Sequence, residues 1–152
     1  MENDTGQNRQ YDCLKIENQL CFPLYAASKE VIKRYRPFLD KLELTYTQYL
    51  AMMIFWEEKS ISVKELGARL YLDSGTLTPV LKHLEAKEYI TRCRSSSDER
   101  VLIAKITEKG ERLRDKAVEV PSQMACCIKL DQNEAQTLYT LLYKLLGNFE
   151  KE

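Results

Sequence analysis

Five cysteines are the side chains in this sequence best suited to covalent chemistry. A thiolate attacks peroxides, exchanges with disulfides and binds soft metals, so the spacing of the thiols decides between these uses. There is no C-x-x-C pair, and His83 is the only histidine, so a zinc site would need scattered thiols. We therefore expect reduced thiols, no metal and no cofactor. The cysteines are Cys13, Cys21, Cys93, Cys126 and Cys127.

A second group of residues is suited to contact nucleic acid. Two β-capable segments, 89–94 and 101–107, flank the polar run 95–100 and predict a hairpin with a polar tip. Such a hairpin can lay arginines against phosphates or into a minor groove, with Asp98 bracing Arg100. A solvated loop with a surface ion pair is the other interpretation. The arginines around the tip are Arg92, Arg94 and Arg100.

The segment before the hairpin predicts a helix that reads DNA. Asp73 is a good N-cap for a helix ending near Lys87, and leucines at spacings of four and three give that helix a buried face. Its first turns present small hydroxyl groups, and a lysine further along can neutralise phosphate. Taken alone, these side chains also fit ordinary capping and surface chemistry. They are Ser74, Thr76, Thr78 and Lys82.

Two capping boxes open the helices that come before this segment. The first box opens an apolar helix running to Trp56, and the second opens a short helix over 63–70. The short helix and the helix after it predict a helix-turn-helix, with Gly67 or Gly75 serving the turn. The boxes are Thr45 with Gln48 and Ser62 with Glu65.

The N-terminal part predicts a long amphipathic helix from about Cys13 to Pro37. Within it, Pro23 should remove the hydrogen bond to the Gln19 carbonyl and bend the chain. The apolar stripe consists of Ile16, Leu20, Leu24, Ala27 and Val31.

The C-terminal part predicts two further helices. Thr107 caps a helix through about Glu119, Pro121 marks a break or kink, and a capping box of Asp131 with Glu134 opens a last helix rich in leucine. The apolar faces of the helices at both ends of the chain must be buried against another protein surface. The two terminal helices can pack on each other in a monomer or pair across a symmetric dimer, and the residues leave both arrangements open.

Composition limits the protein class. The 152 residues fit one domain, the net charge is zero and the mean hydropathy is −0.43. No apolar run reaches the length of about 20 residues that a membrane span requires, and the N-terminus lacks a signal-peptide pattern. We expect a cytoplasmic protein with no membrane partner.

Three segments resemble the MarR family, and in particular its organic-hydroperoxide-sensing repressors. They are N-Q-L-C-F at 18–22, L-D-S-G-T-L-T-P at 72–79 and R-S-S-S-D-E-R at 94–100. The D-x-R pattern of the third segment is general to the family, whereas the other two are more specific to the thiol-sensing branch. The resemblance extends from about Leu14 to Phe149.

The resemblance implies a mainly α fold with a small β-hairpin, a winged helix-turn-helix, in an intertwined homodimer. Residues 1–152 would form a single domain, in which about 13–38 and 108–150 dimerise and about 46–107 form the DNA-binding lobe. The reduced protein would repress by binding double-stranded operator DNA, with one helix in the major groove and the wing in the minor groove.

The resemblance also assigns the thiols. Cys21 would be the sensing thiol, oxidised by an organic hydroperoxide to a sulfenic acid that releases DNA, and Tyr35 and Tyr46 would hydrogen-bond it across the dimer interface. Cys126 or Cys127 of the other protomer would then form a disulfide with Cys21, unless a small cellular thiol does so.

Two other functions fit parts of the sequence. A MarR-type regulator released by a small aromatic ligand would leave Cys21 a bystander. A thiol peroxidase would use Cys21 catalytically, but the chain has no thioredoxin-like pattern and a DNA-reading unit would have no purpose. We expect a regulator and not an enzyme.

Overall fold

The computed structural model describes residues 11–149, and the chain divides after Val120 into two compact units. The helices are α1 Cys21–Leu39, α2 Tyr46–Glu58, α3 Val63–Leu70, α4 Ser74–Ala86, α5 Glu108–Ala117, α6 Val120–Cys127 and α7 Gln132–Phe149. The strands are β1 Ser60–Ser62, β2 Ile90–Arg94 and β3 Leu102–Ile106. Short 3-10 helices cover Asp12–Leu14, Ile16–Asn18 and Asp40–Leu42. No helix in this described part is long and apolar enough to cross a membrane.

The predicted hairpin is present, and a third strand joins it. The sheet is antiparallel in the order β1-β3-β2, with Ile61 opposite Ala104 and Ile90 opposite Ile106. Strand β1 has three residues, too few to show an alternating pattern in sequence. Because β1 runs directly into α3, the sheet holds the start of α3 against the hairpin.

The predicted N-caps of this unit are confirmed. Thr45 and Gln48 form a reciprocal capping box at α2. Ser62 accepts from the Glu65 backbone N–H at α3, but the described chain shows no return bond to the Glu65 side chain, so the second predicted box is formed only by half. Asp73 accepts from the Thr76 N–H at α4. Each cap pairs a backbone donor that the first helical turn leaves free, so these local signals suffice to begin the helices where predicted.

In the turn between α3 and α4, Gly67 allows a close approach of the two helices and does not itself adopt the left-handed backbone conformation. Tyr71, with φ of 54°, is the residue that ends α3 in the left-handed region. Gly67 lies where a Cβ would be 2.9 Å from the Leu72 carbonyl oxygen and 3.4 Å from the Leu77 side chain. Gly67 therefore lets α3 approach α4 closely, and Gly75 is not needed for the turn.

The N-terminal prediction needs two corrections. Helix α1 begins at Cys21, not near Cys13, and two 3-10 turns precede it. Pro23 consequently lies in the first turn, where a backbone N–H has no intrahelical partner to lose. The lost hydrogen bond that was expected to bend the helix therefore does not arise. Leu20 and Ile16 of the expected stripe are 81% and 59% exposed.

The C-terminal unit contains α7, which begins as predicted. Asp131 and Glu134 bond each other's backbone N–H groups at 2.9 Å in a capping box. No residue of α7 is buried, although the helix carries the predicted leucines. The rings of Tyr139 and Tyr143 are in contact on its surface, tilted by 46° with centroids 4.6 Å apart.

Candidate DNA interface and thiol site

Helix α4 separates its two faces clearly. Leu77, Leu81 and Leu84 are at most 1% exposed and fix the helix on the core. The opposite side is open to solvent, so the residues predicted to approach DNA are accessible. They are Ser74, Thr76, Thr78 and Lys82.

The hydroxyl groups at the start of α4 differ in their hydrogen bonds. Thr76 donates its hydroxyl proton to Asp73 at 2.9 Å, and Thr78 donates to the Ser74 carbonyl at 2.6 Å. Both threonine oxygens keep lone pairs that can accept from a ligand. The Thr76 backbone N–H holds the pKa of Asp73 below its usual range, so Asp73 remains an ionised cap. In the described chain, the Ser74 hydroxyl has no protein partner.

The loop of the hairpin is held by its own hydrogen bonds. The Ser95 N–H donates to the Val101 carbonyl at 2.8 Å, and the Arg94 guanidinium donates across the loop to the Glu99 carbonyl at 3.1 Å. The predicted contact between Asp98 and Arg100 exists, but the donor is the Arg100 backbone N–H, at 2.9 Å, and not its guanidinium. A backbone donor lies closer to Asp98 in this tight turn than the long side chain does.

Ser74 and Arg100 lie around one cleft of about 490 Å³ between α4 and the hairpin. Lys64 of α3, which sequence reasoning did not single out, lines the same cleft. Neither Lys64 nor the Arg100 guanidinium has a protein partner within residues 11–149. Both cations are therefore available to an anion.

Arg92 is engaged inside the protein. Its guanidinium donates to the Glu85 carboxylate at 2.6 and 3.1 Å, and its backbone N–H donates to the same group at 3.2 Å. These hydrogen bonds hold the pKa of Glu85 below its usual value. Arg92 thus ties β2 to α4 and does not extend toward the loop. Glu85 was not predicted, because only the fold brings it to Arg92.

Cys21 is exposed at the first residue of α1. Tyr35 lies 14 positions further along the same helix, a spacing that returns to nearly the same face. At 1.5 Å per residue, the two positions are about 21 Å apart along the axis. The structure therefore does not bring Cys21 and Tyr35 of one chain together.

Tyr35 and Tyr46 do lie together, with ring centroids 4.7 Å apart. Tyr49, which was not predicted, joins them at 6.0 Å from Tyr35, and these three residues form what we call the tyrosine cluster. Burial raises the pKa of each, and in Tyr46 and Tyr49 the neighbouring phenols raise it further. The hydroxyls accordingly stay protonated, as hydrogen-bond donors must.

The remaining cysteines are also exposed. Cys126 and Cys127 end α6, where the Cys127 thiol lies 3.5 Å from the Gln123 carbonyl oxygen. Cys93 lies in β2, and Cys13 in the first 3-10 turn. Across the described residues, no three His, Cys, Asp or Glu side chains form a group that could hold a metal ion.

An exposed helix after a helix turn, beside an antiparallel hairpin with arginines at its loop, defines a winged helix-turn-helix. A family model described as "Transcriptional regulator SarA/Rot" matches residues 29–117. The organic hydroperoxide resistance transcriptional regulator of Bacillus subtilis is 48% identical over 93% of this chain and 97% of its own.

Solved structures agree with these matches. Reduced AbfR bound to DNA is 32% identical, with a TM-score of 0.76 over 93% of this chain and 99% of that chain. Disulfide-formed AbfR is 30% identical, with a TM-score of 0.60, and the match covers 96% of this chain and 99% of that chain. MarR, at 21% identity over 86% and 99% of the two chains, shares the fold with a TM-score of 0.68.

The chain therefore belongs to the SarA/Rot family of transcriptional regulators, of the MarR winged-helix type. Within that type it is similar to an organic hydroperoxide resistance regulator, as the sequence motifs predict. The predicted mainly α fold with a winged helix-turn-helix is confirmed.

Proposed function

We propose that this regulator is a homodimeric repressor that binds operator DNA when reduced and leaves it when an organic hydroperoxide oxidises Cys21. The observation that carries the proposal is an accessible Cys21 thiol in the same chain as a complete winged helix-turn-helix. The Bacillus subtilis relative is named for organic hydroperoxide resistance, and AbfR has been solved reduced on DNA and as a disulfide.

On DNA, α4 enters the major groove and the wing, meaning β2, β3 and their loop, follows the neighbouring minor groove. Ser74, Thr78 and Lys82 recur every four residues, so they form one ridge along the exposed side of α4. Thr76 lies on a different part of that side and offers a further hydroxyl oxygen. Arg94 and Arg100 neutralise phosphates from the wing. We assign Arg92 and Asp98 to holding the wing in place, because Arg92 is paired with the Glu85 carboxylate and Asp98 accepts from the Arg100 N–H. Within residues 11–149, Arg94 by contrast bonds only a carbonyl and keeps its charge unpaired.

The sensing step is a displacement on oxygen. The Cys21 thiolate attacks the terminal oxygen of the hydroperoxide, the O–O bond breaks, and the alkoxide leaves and takes a proton to become an alcohol. The sulfur is oxidised to a sulfenic acid and the peroxide is reduced. A neutral phenol that donates to sulfur favours the thiolate, which is the role we give Tyr35 and Tyr46.

This role requires a second chain, because Cys21 and Tyr35 of one chain are about 21 Å apart along α1. In a two-fold dimer, Cys21 of one protomer reaches the tyrosine cluster of its partner. Exposed apolar side chains in both units are consistent with a partner surface, for example Leu20 at 81% and Leu141 at 57% exposure. The dimer thus completes the site.

The sulfenic acid is then captured by a thiol. Cys126 or Cys127 of the other protomer attacks the Cys21 sulfur, a disulfide forms and water leaves. A disulfide of this kind between protomers constrains their relative position and releases the DNA. Both thiols are exposed and available for this reaction.

The test is fluorescence anisotropy with DNA from upstream of the gene, before and after one equivalent of cumene hydroperoxide. We expect the wild type to release DNA and Cys21→Ser to remain bound, with one peroxide consumed per Cys21. Release of both proteins, or of neither, would contradict the redox mechanism. In a separate assay with excess peroxide, continued consumption beyond one equivalent per chain would indicate a peroxidase.

The resolving thiol is identified by a non-reducing gel and peptide mass spectrometry. A covalent dimer should form in the wild type and be absent from Cys21→Ser and from a Cys126→Ser, Cys127→Ser double variant. The single serine variants then assign the partner, and Cys93→Ser is the control. A covalent dimer in the double variant would exclude both residues.

A further inference from the structure

We infer that Trp56 is a positioning residue that connects the tyrosine cluster to the base of the wing. The inference rests on the proposed redox function and assigns a role to a residue that touches neither peroxide nor DNA. It concerns how oxidation at the dimer interface changes the DNA-binding lobe.

The connection begins in the core. Tyr49 is 3% exposed, and its ring lies 6.0 Å from Tyr35 and 6.3 Å, edge to face, from Trp56. Tyr49 and Trp56 both belong to α2, seven residues apart, so they lie on one side of that helix. A displacement of Tyr35 or Tyr46 is therefore transmitted along α2 through aromatic rings in contact.

The connection leaves α2 through a hydrogen bond made by Trp56. The half-buried Trp56 donates its indole N–H to the Gly110 carbonyl at 2.9 Å, across 54 residues of sequence. The carbonyl belongs to the first turn of α5, the helix that follows the wing directly. This bond is directional, so it fixes the position of α5 relative to α2 more narrowly than apolar packing does.

Gly110 in turn is pressed against the start of the wing. A Cβ at this position would lie 2.2 Å from the Tyr89 carbonyl oxygen. The same carbonyl accepts from the Thr107 N–H at 3.0 Å, and the Thr107 hydroxyl accepts from the Gly110 N–H at 3.1 Å. Gly110 and Tyr89, the residue before β2, consequently move together.

A second contact between the same two regions provides a matched control. Lys59, just after α2, pairs with Glu111 of α5 at 2.6 Å, but this ion pair is on the surface and touches no residue of the tyrosine cluster. Glu111→Gln removes it with little change in shape. If Trp56 transmits the signal, loss of its indole N–H should weaken the effect of oxidation on DNA binding, and loss of the Lys59–Glu111 ion pair should not.

Trp56 is the only tryptophan, so biosynthetic replacement by benzothienylalanine changes the N–H to sulfur at this one position. Anisotropy gives the DNA Kd of the reduced and oxidised forms, and mass spectrometry gives the rate of Cys21 oxidation. We expect oxidation at the wild-type rate and an unchanged reduced Kd. The ratio of oxidised to reduced Kd should fall about fivefold, the effect of losing one hydrogen bond. Trp56→Phe should lower this Kd ratio as the analogue does, whereas Glu111→Gln should keep the wild-type ratio.

The outcomes separate the two proposals. A wild-type protein that keeps its DNA after oxidation overturns the proposed function and the inference with it. If the wild type releases DNA and the Trp56 analogue has the same Kd ratio, only the inference fails. It also fails if Glu111→Gln lowers the ratio equally, or if the analogue weakens the reduced and oxidised complexes by the same factor.

Discussion

The Arg92 guanidinium donates to the Glu85 carboxylate at 2.6 Å and so joins the first strand of the wing to helix α4. Arg92 is 19% exposed and Glu85 38%, so the pair is partly shielded from solvent. A backbone N–H adds a third bond to the same carboxylate. The two elements proposed to contact DNA are thus fixed to each other from inside the protein.

We predict that Glu85→Gln lowers the free energy of unfolding by about 1 kcal/mol at pH 7, near the upper end for exposed ion pairs. Because the pKa of Glu85 is lowered in the folded state, its contribution is present in full above its ordinary pKa of 4.5 and is lost as the pH falls from there through the lower pKa of the folded state. Urea unfolding at pH 7 and pH 3 checks both points. Glu30→Gln, which breaks the more exposed pair with Arg34, is the control, and an equal loss there would refute a special role for Glu85.

Among Gly67, Gly75 and Gly110, we expect substitution by alanine to be most destabilising at Gly110. Its Cβ would lie 2.2 Å from a backbone oxygen, whereas Gly67→Ala would place a Cβ 2.9 Å from one. Forced separation of packed backbone typically costs about 1–3 kcal/mol, and we expect the upper part of that range or more at Gly110. Thermal unfolding of both variants gives the order, and a reversed order would contradict the packing described.

A mixed dimer tests whether the sensing site spans two chains. In a dimer of one Cys21→Ser protomer and one Tyr35→Phe protomer, the remaining Cys21 faces an intact tyrosine if the contact crosses the interface. We expect that Cys21 to react with cumene hydroperoxide at the wild-type rate, as followed by mass spectrometry. The Tyr35→Phe homodimer is the slow reference, and a mixed dimer equally slow would place the contact within one chain.

The phenols of the tyrosine cluster should ionise at a higher pH than an exposed tyrosine does. Burial raises the pKa of Tyr35 above 10.0, so we expect its phenolate, and those of Tyr46 and Tyr49, to form only at higher pH. A group whose folded pKa is raised contributes stability below its unfolded pKa and loses it as the pH rises through the folded value. Absorbance at the phenolate band and urea unfolding, each as a function of pH, check this. Loss of the late phase in a triple Phe variant assigns it.

The salt dependence of DNA binding should identify Arg100 as a phosphate contact. Each phosphate neutralised contributes about 0.9 to the slope of log K against log salt concentration, so Arg100→Ala should reduce the slope by about 1.8 per dimer. Arg112→Ala removes the same charge from α5 and should leave the slope unchanged. Equal slopes for wild type and Arg100→Ala would rule out the contact.

Local sequence signals predict most of the lobe, for a physical reason. Capping at Thr45, Ser62 and Asp73 is a contact over three residues, and the stripe of Leu77, Leu81 and Leu84 follows from helical geometry alone. The same reasoning misplaced the start of α1. The apolar spacing continues before Cys21, but those side chains are exposed and nothing in the described chain buries them.

The sequence by itself determined the winged helix-turn-helix, the accessible hydroxyls of α4 and, through its motifs, the family. The tertiary structure decided which charges remain available, since Arg92 is held by Glu85 while Arg100 is not, and these partners lie on different elements. It also decided that Cys21 and Tyr35 stay apart in one chain, because both belong to one continuous helix whose rise separates two positions on the same face. Trp56 and Gly110, 54 positions apart in the sequence, meet only because the chain packs them together.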